Sequence, residues 1–232
     1  FFISPSISAY FESLKTNSKA TTNLKNQEGN YFDTIGSYKL TYDKRNQKYQ
    51  TSDGFISSFS QSVPVYSDNP ELRNTYEYTV YNKLSDNMIT AVSFYSSAIT
   101  AISSGDDVRI SNRVYLPQRK LRGFELGKIG PVDSGDYIGG NYASSLNLST
   151  TLPQIGANIQ TADFKLFYDA ANVWGVDYSG TVGDASRIRS AAGIGVDWFT
   201  PIGPLSFTLA QPLTKHGSDK TESFRFSLGT TF

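Results

Sequence analysis

Cysteine is absent from this 232-residue chain, histidine and methionine each occur once, and no apolar run approaches the length of a membrane-crossing helix. Without cysteine there is no disulfide framework and no thiolate metal site. The lone histidine, His216, sits in a loop beside Lys215 and Gly217, with no serine–aspartate arrangement at a recognisable spacing. An acid–base or nucleophilic enzyme is therefore not expected. A spanning helix needs about 20 consecutive apolar residues, so helices are excluded as membrane spans. Net charge is lacking too: 21 Lys and Arg balance 21 Asp and Glu, which leaves no electrostatic case for nucleic acid. The carboxylates of Asp106–Asp107 and of Asp133 and Asp136 lack further oxygen ligands and read as solvated turns rather than a cation site. Gly139-Gly140-Asn141 precedes a strand, not a helix, so it is no phosphate cradle. No cofactor and no metal are expected.

What the chain has is alternation. In its last nine residues Phe224, Phe226, Leu228, Thr230 and Phe232 fall on one side, and Arg225, Ser227, Gly229 and Thr231 on the other. A period of two is the mark of a strand with one apolar and one wet face. Ending on such a strand with a terminal aromatic favours a transmembrane β-barrel over a soluble β-sandwich, because a barrel's last strand closes the wall and its aromatic tip sits at the bilayer interface. The mean hydropathy of −0.34 suits a barrel whose strands each show one face to a wet lumen, and 15 Tyr with 15 Phe supply interface girdles.

About ten amphipathic segments follow one another between turn signals, near residues 3–14, 32–45, 55–65, 72–84, 88–102, 141–152, 162–173, 187–199, 205–211 and 223–232. In the fourth, Leu72, Tyr76, Tyr78 and Val80 oppose Arg73, Thr75, Glu77 and Thr79. The fold class is all-β, an antiparallel transmembrane barrel. Short links at 85–87 and 200–203 alternate with longer ones at 15–30, 103–139 and 174–186, as short periplasmic turns alternate with long outer loops. The chain starts at Phe1 inside a strand-like stretch, so a native N-terminus further upstream is expected. Residues 103–139 are the one long irregular segment, and such loops in compact domains tend to be functional.

Within it stands Leu121-Arg122-Gly123-Phe124, followed by Ile129-Gly130-Pro131. With Tyr42-Asp43-Lys44-Arg45-Asn46 through Gly54, Phe167-Tyr168-Asp169-Ala170-Ala171-Asn172-Val173-Trp174, and Trp198-Phe199-Thr200-Pro201-Ile202-Gly203-Pro204-Leu205 through Ala210-Gln211-Pro212, the chain resembles the BamA family of outer-membrane protein assembly factors, in the surface-antigen superfamily. The resemblance covers nearly the whole chain and is most specific from Leu121 onward. It implies one stretch of outer-membrane barrel domain over 1–232, about ten of sixteen strands, with the other strands and the periplasmic domains upstream. It also implies a role: inserting client β-barrel proteins beside outer-membrane lipids, with accessory lipoproteins as partners.

By the same resemblance the Arg-Gly-Phe loop folds into the lumen and its arginine, Arg122, meets acidic residues of the wall. One falls on Asp169, whose parity is lumenal because Phe164, Leu166 and Tyr168 point outward. The second falls on Asn147, where the chain departs from the family's glutamate; an amide accepts from a guanidinium without charge, so a weaker or differently paired latch is expected. Asp197, also lumenal, can compensate. Gly229 matches a last-strand glycine that lets the family's terminal strand kink, loosening the seam for a client strand to add; the alternative is a lumenal glycine that leaves room for a bulky neighbour. A passenger-exporting relative and a passive porin are the alternatives.

Overall fold

The computed structural model describes residues 1–48, 51–85, 88–152, 162–178, 182–200 and 203–228. Ten long strands form one antiparallel sheet: β1 (Phe2–Leu14), β2 (Gly29–Asp43), β3 (Gly54–Ser67), β4 (Glu71–Ser85), β5 (Met88–Ala101), β8 (Tyr142–Thr151), β9 (Ala162–Trp174), β10 (Arg189–Thr200), β11 (Gly203–Thr214) and β12 (Phe224–Leu228). Each pairs with its sequence neighbour. Two short strands, β6 (Val132–Asp133) and β7 (Asp136–Tyr137), form a small hairpin inside the loop between β5 and β8. This is the nearest-neighbour meander that the alternation predicts, with boundaries shifted by a few residues. Between β1 and β2 the polar stretch holds a single helical turn, Thr22–Lys25, capped by the Thr21 hydroxyl.

Alternation decides which face each residue takes. Ile7, Phe11, Val63, Leu146, Leu166, Tyr168, Ile194, Trp198, Leu209 and Phe226 all point away from the loop and are exposed, forming an apolar belt across the sheet. Cross-strand aromatic contacts stitch this outer face, among them Tyr42–Phe55, Tyr76–Phe94 and Phe207–Phe226, with ring centroids 5.6, 6.2 and 5.1 Å apart. The opposite face carries hydroxyls and charges, such as Thr75–Ser97 and Thr79–Ser93.

Two strand prolines sit where a missing N–H does least harm. The β2–β3 register steps from Thr34↔Tyr66 to Ile35↔Pro64, and the β10–β11 register from Ser190↔Thr214 to Ala191↔Pro212. Each step leaves one extra residue, Val65 or Leu213, as a bulge beside the proline.

The connections that follow β1, β3, β5, β9 and β11 leave one end of the sheet, and those that follow β2, β4, β8 and β10 leave the other. Residues 68–70 depart from the expected alternation of short and long links, being short on the long-loop side.

The core lies where a barrel's lumen would be. Val108, Val114, Leu116, Leu121, Phe124 and Ile129 of the long loop pack on Tyr95, Ile99, Ala143, Ala171, Val173 and Ala191 of the sheet. The loop is not structureless: besides the hairpin it has 3-10 turns at Ile110–Asn112 and Gln118–Lys120, and Val114 and Gly140 bridge its two ends.

Candidate functional site

Small side chains on the inner face of β8–β11 leave room for the loop to descend against them, and the loop's own apolar residues supply the driving force. Leu121 and Phe124 are 4% and 2% exposed, bracketing Arg122 and Gly123. Between these anchors the polar chemistry is fixed. Arg122 donates Nε to Asp169 Oδ2 at 2.8 Å and Nη2 to Oδ1 at 2.7 Å, and its backbone N–H adds a third bond to Oδ2 at 3.0 Å. The planar guanidinium and the carboxylate thus meet as two forks. Asp169 is fully buried while the Arg122 side chain keeps 22% exposure, so the carboxylate bears most of the desolvation cost.

A second surface supports the arginine. Its guanidinium carbon lies 3.5 Å from the centroid of Phe167, on the same face of β9 as Asp169. Phe167 finds space because its register partner on β10 is Gly193, where an added Cβ would come within 2.6 Å of the Phe167 ring. Gly123 is placed by a different demand. Its φ of +88° is in glycine's territory, and a Cβ there would crowd Ala191 and Ala210 at 3.1 and 3.2 Å.

Asn147 joins this site differently paired from an acceptor of Arg122. Rather than accepting from Arg122, it donates Nδ2 to Asp169 Oδ1 and to the Lys120 carbonyl, both at 2.8 Å, while its own Oδ1 accepts from Ser145 Oγ at 3.1 Å. With both Asp169 oxygens taken up by the guanidinium fork, the amide serves as a further donor to that carboxylate and a strap on the loop backbone. Asn147→Asp is therefore expected to weaken loop docking by about 2–4 kcal/mol, since it trades two donors for a carboxylate facing Asp169 and a carbonyl. Hydrogen exchange at the amides of residues 120–124 in the full-length protein should speed up accordingly; protection equal to the parent would refute it.

Asp197 also departs from expectation. It is inward-facing, but Lys165 Nζ and Ser206 Oγ each lie 2.6 Å from it, and it does not touch Arg122. Burial lowers the pKa of Arg119 on the loop, with Asp197 opposing and Arg122 adding to the fall. Of the terminal-strand residues, Phe224, Phe226 and Leu228 are on the outward face, more than half exposed. Gly229 and Phe232 lie outside the described residues.

Two buried arginine clusters escaped the sequence reading. Arg109, 1% exposed, pairs through Nη2 with Asp33 of β2, also fully buried, and through Nη1 with Glu12 of β1 at 3.2 Å. Its backbone N–H donates to Glu71 of β4 at 2.8 Å, and its guanidinium lies 4.5 Å from the Tyr31 ring centroid. Arg189 forks onto Asp219, which is fully buried, and reaches Asn172 at 2.9 Å. The available signal was the inward parity of Glu12, Asp33 and Glu71, three acids on three strands whose cation is supplied by the loop. Asp133, read as a solvated turn, is also buried and accepts from Thr21 Oγ1 at 2.7 Å and Asn23 Nδ2 at 3.2 Å. His216 has its Nδ1 3.4 Å from Arg187 Nη1, beside a cleft that Gly183, Ala185 and Ser218 also line.

Comparison with known proteins finds relatives of this chain. Residues 5–232 match the Omp85 superfamily domain. The outer membrane protein assembly factor BamA of Neisseria meningitidis is 32% identical over 139 residues, covering 48% of this chain and 17% of that protein. The protein of the same name from Nitratidesulfovibrio vulgaris is 25% identical over 221 residues, 90% of this chain and 27% of its own length. Among solved structures, the crystal structure of BamA from Haemophilus ducreyi lacking POTRA domains 1–3 superposes with a TM-score of 0.76 at 28% identity, covering 85% of this chain and 42% of that one. The chain thus spans under a third of the length of either curated relative.

Proposed function

This chain belongs to the Omp85 superfamily, and from that membership we propose that it is the lumen-loop portion of an outer-membrane β-barrel that folds and inserts other barrel proteins. Two relatives carry the name of outer-membrane protein assembly factor, and the ten-stranded meander follows the wall of a BamA barrel. Outer-membrane location accords with the belt of exposed apolar residues on one face of the sheet. On this reading the remaining strands and the periplasmic domains lie upstream of Phe1, the partners are client barrel proteins, outer-membrane lipids and accessory lipoproteins, and the role is non-catalytic.

One observation carries the reading against a passive porin. A porin needs a wet, open lumen, whereas here the inner face of β5, β8, β9 and β10 is covered by a loop with a dry core beneath it. A chain that fastens a loop inside its own wall is suited to supporting that wall, with Arg122, Gly123, Phe124, Asp169 and Asn147 as the fastening. β12 then serves as the edge beside which a client strand adds by β-augmentation.

Depletion of the full-length protein tests this. Newly made barrel proteins should accumulate uninserted while the membrane's other proteins arrive normally. Continued barrel insertion, with loss of one secreted passenger or of a steady conductance instead, would overturn it in favour of an exporter or a porin.

A further inference from the structure

The loop does more than touch the wall at Asp169. Immediately after Arg122 it lies as a short antiparallel ladder against the residues leading into the terminal strand. Glu222 N donates to Gly123 O at 3.1 Å, Glu125 N to Lys220 O at 3.0 Å and Lys220 N to Lys128 O at 3.1 Å, and Phe124 and Thr221 form a bridge. Arg225, on the inward face of β12, donates Nη2 to Phe124 O at 3.2 Å and pairs with Glu222. By contrast β12 pairs with β11 from Leu205↔Leu228 to Leu209↔Phe224, extended at the loop end by Ala210 N to Ser223 O at 2.8 Å. Residues 220–222 therefore take their backbone partners from the loop.

We infer that the loop is a tie between the wall at Asp169 and the outer end of the terminal strand, with Arg225 as the positioning residue that receives it. Slack between the two attachments is minimal. Arg122 and Gly123 are adjacent, and Gly123 is wedged against Ala191 of β10 and Ala210 of β11. Release of Arg122 from Asp169 thus withdraws the carbonyls of Gly123 and Phe124 from Glu222 and Arg225, and frees the run into β12. Coupling of this kind is reciprocal, so a strand pairing with β12 and displacing its outer end loosens Arg122 in turn. That last consequence rests on the assembly reading; the tie itself does not.

The chain has no cysteine, which makes cross-linking direct. In a cysteine-free background of the full-length protein in its membrane, the pair Glu125→Cys/Lys220→Cys reports the ladder, and Ser37→Cys/Ser62→Cys, register partners of β2 and β3, reports the wall. Adding Asp169→Asn is expected to slow oxidation of the ladder pair roughly tenfold, the change that loss of one charge-assisted hydrogen bond brings to a pairing equilibrium, and to leave the wall pair unchanged. Arg225→Gln should slow the ladder pair likewise, and Arg225→Lys should restore part of the rate. A ladder rate within twofold of the parent in Asp169→Asn overturns the tie, even where client insertion falls and the assembly reading stands. A tenfold slowing with normal client insertion sustains the tie and removes the assembly reading. If both pairs slow together in Asp169→Asn, Arg225→Gln decides: a slowed ladder pair sustains the tie, an unchanged one ends it.

Discussion

Replacing Arg122 with alanine in the full-length protein is expected to release the loop apex from the wall, at a cost to docking of about 3 kcal/mol. The figure is taken from the low end of the range for breaking a buried pair, because Arg122 keeps 22% of its side chain exposed and Asp169 retains two donors, the backbone N–H of residue 122 and Asn147 Nδ2. A shift of that size changes the docked-to-undocked ratio on the order of a hundredfold. The loop should become open to protease between residues 116 and 130, and client insertion should fall with it. Arg122→Lys is expected to recover only part of the effect, since an ammonium cannot fork onto both Asp169 oxygens and stacks less well on Phe167. A docked, protected loop in Arg122→Ala would mean that the apolar anchors Leu121 and Phe124 hold it unaided.

Much of this was legible in the sequence, and the parts that were not have physical reasons. The ten strands follow from alternation, because one face meets apolar surroundings and the other does not. That periodicity survives even in β5, the segment whose two faces contrast least in sequence, where Tyr95 and Ile99 are buried and Phe94 is exposed. Asp169 is inward by parity alone, and the structure brings it to Arg122. What parity cannot supply is the partner. It puts Asn147 on the inner face but does not say whether its amide gives or accepts, and this depends on how fully Asp169 occupies the guanidinium. It puts Asp197 inward too, yet Lys165, two strand positions from Phe167 and directly across from Gly195, reaches it first. Phe167 was quoted as part of a motif, but its service as a platform depends on Gly193 lying opposite, a pairing that exists only once β9 and β10 are in register. Arg109 was harder still. Asp106-Asp107-Val108-Arg109 looks like a solvated charge cluster, and its partners are 38, 76 and 97 residues away in sequence.

Arg109→Met should be the most damaging single change in the described chain. Arg122 fastens the loop to β9, whereas Arg109 fastens its first half to β1, β2 and β4, so the loop is held to the wall on two sides. Arg109 and Asp33 are both essentially removed from solvent, and with the guanidinium gone Asp33 keeps the Ser67 hydroxyl as its side-chain donor. Stranding a buried carboxylate in this way costs about 3–5 kcal/mol, more than at Arg122 because neither partner is screened by water. The loss has a distinctive remedy. If the damage comes from the uncompensated charge and not from lost packing, then Arg109→Met combined with Asp33→Asn should be more stable than Arg109→Met alone, a non-additivity of roughly 1–3 kcal/mol. Glu71 limits the repair only slightly, since its carboxylate keeps the backbone N–H of residue 109 and Asn112 Nδ2 at 2.8 Å each. Hydrogen exchange locates the effect: amides of residues 108–114 should lose protection in the single variant and regain it in the double, while those of residues 121–124 change less. Loss of protection spread evenly along the loop would instead show that the two arginines act as one fastening.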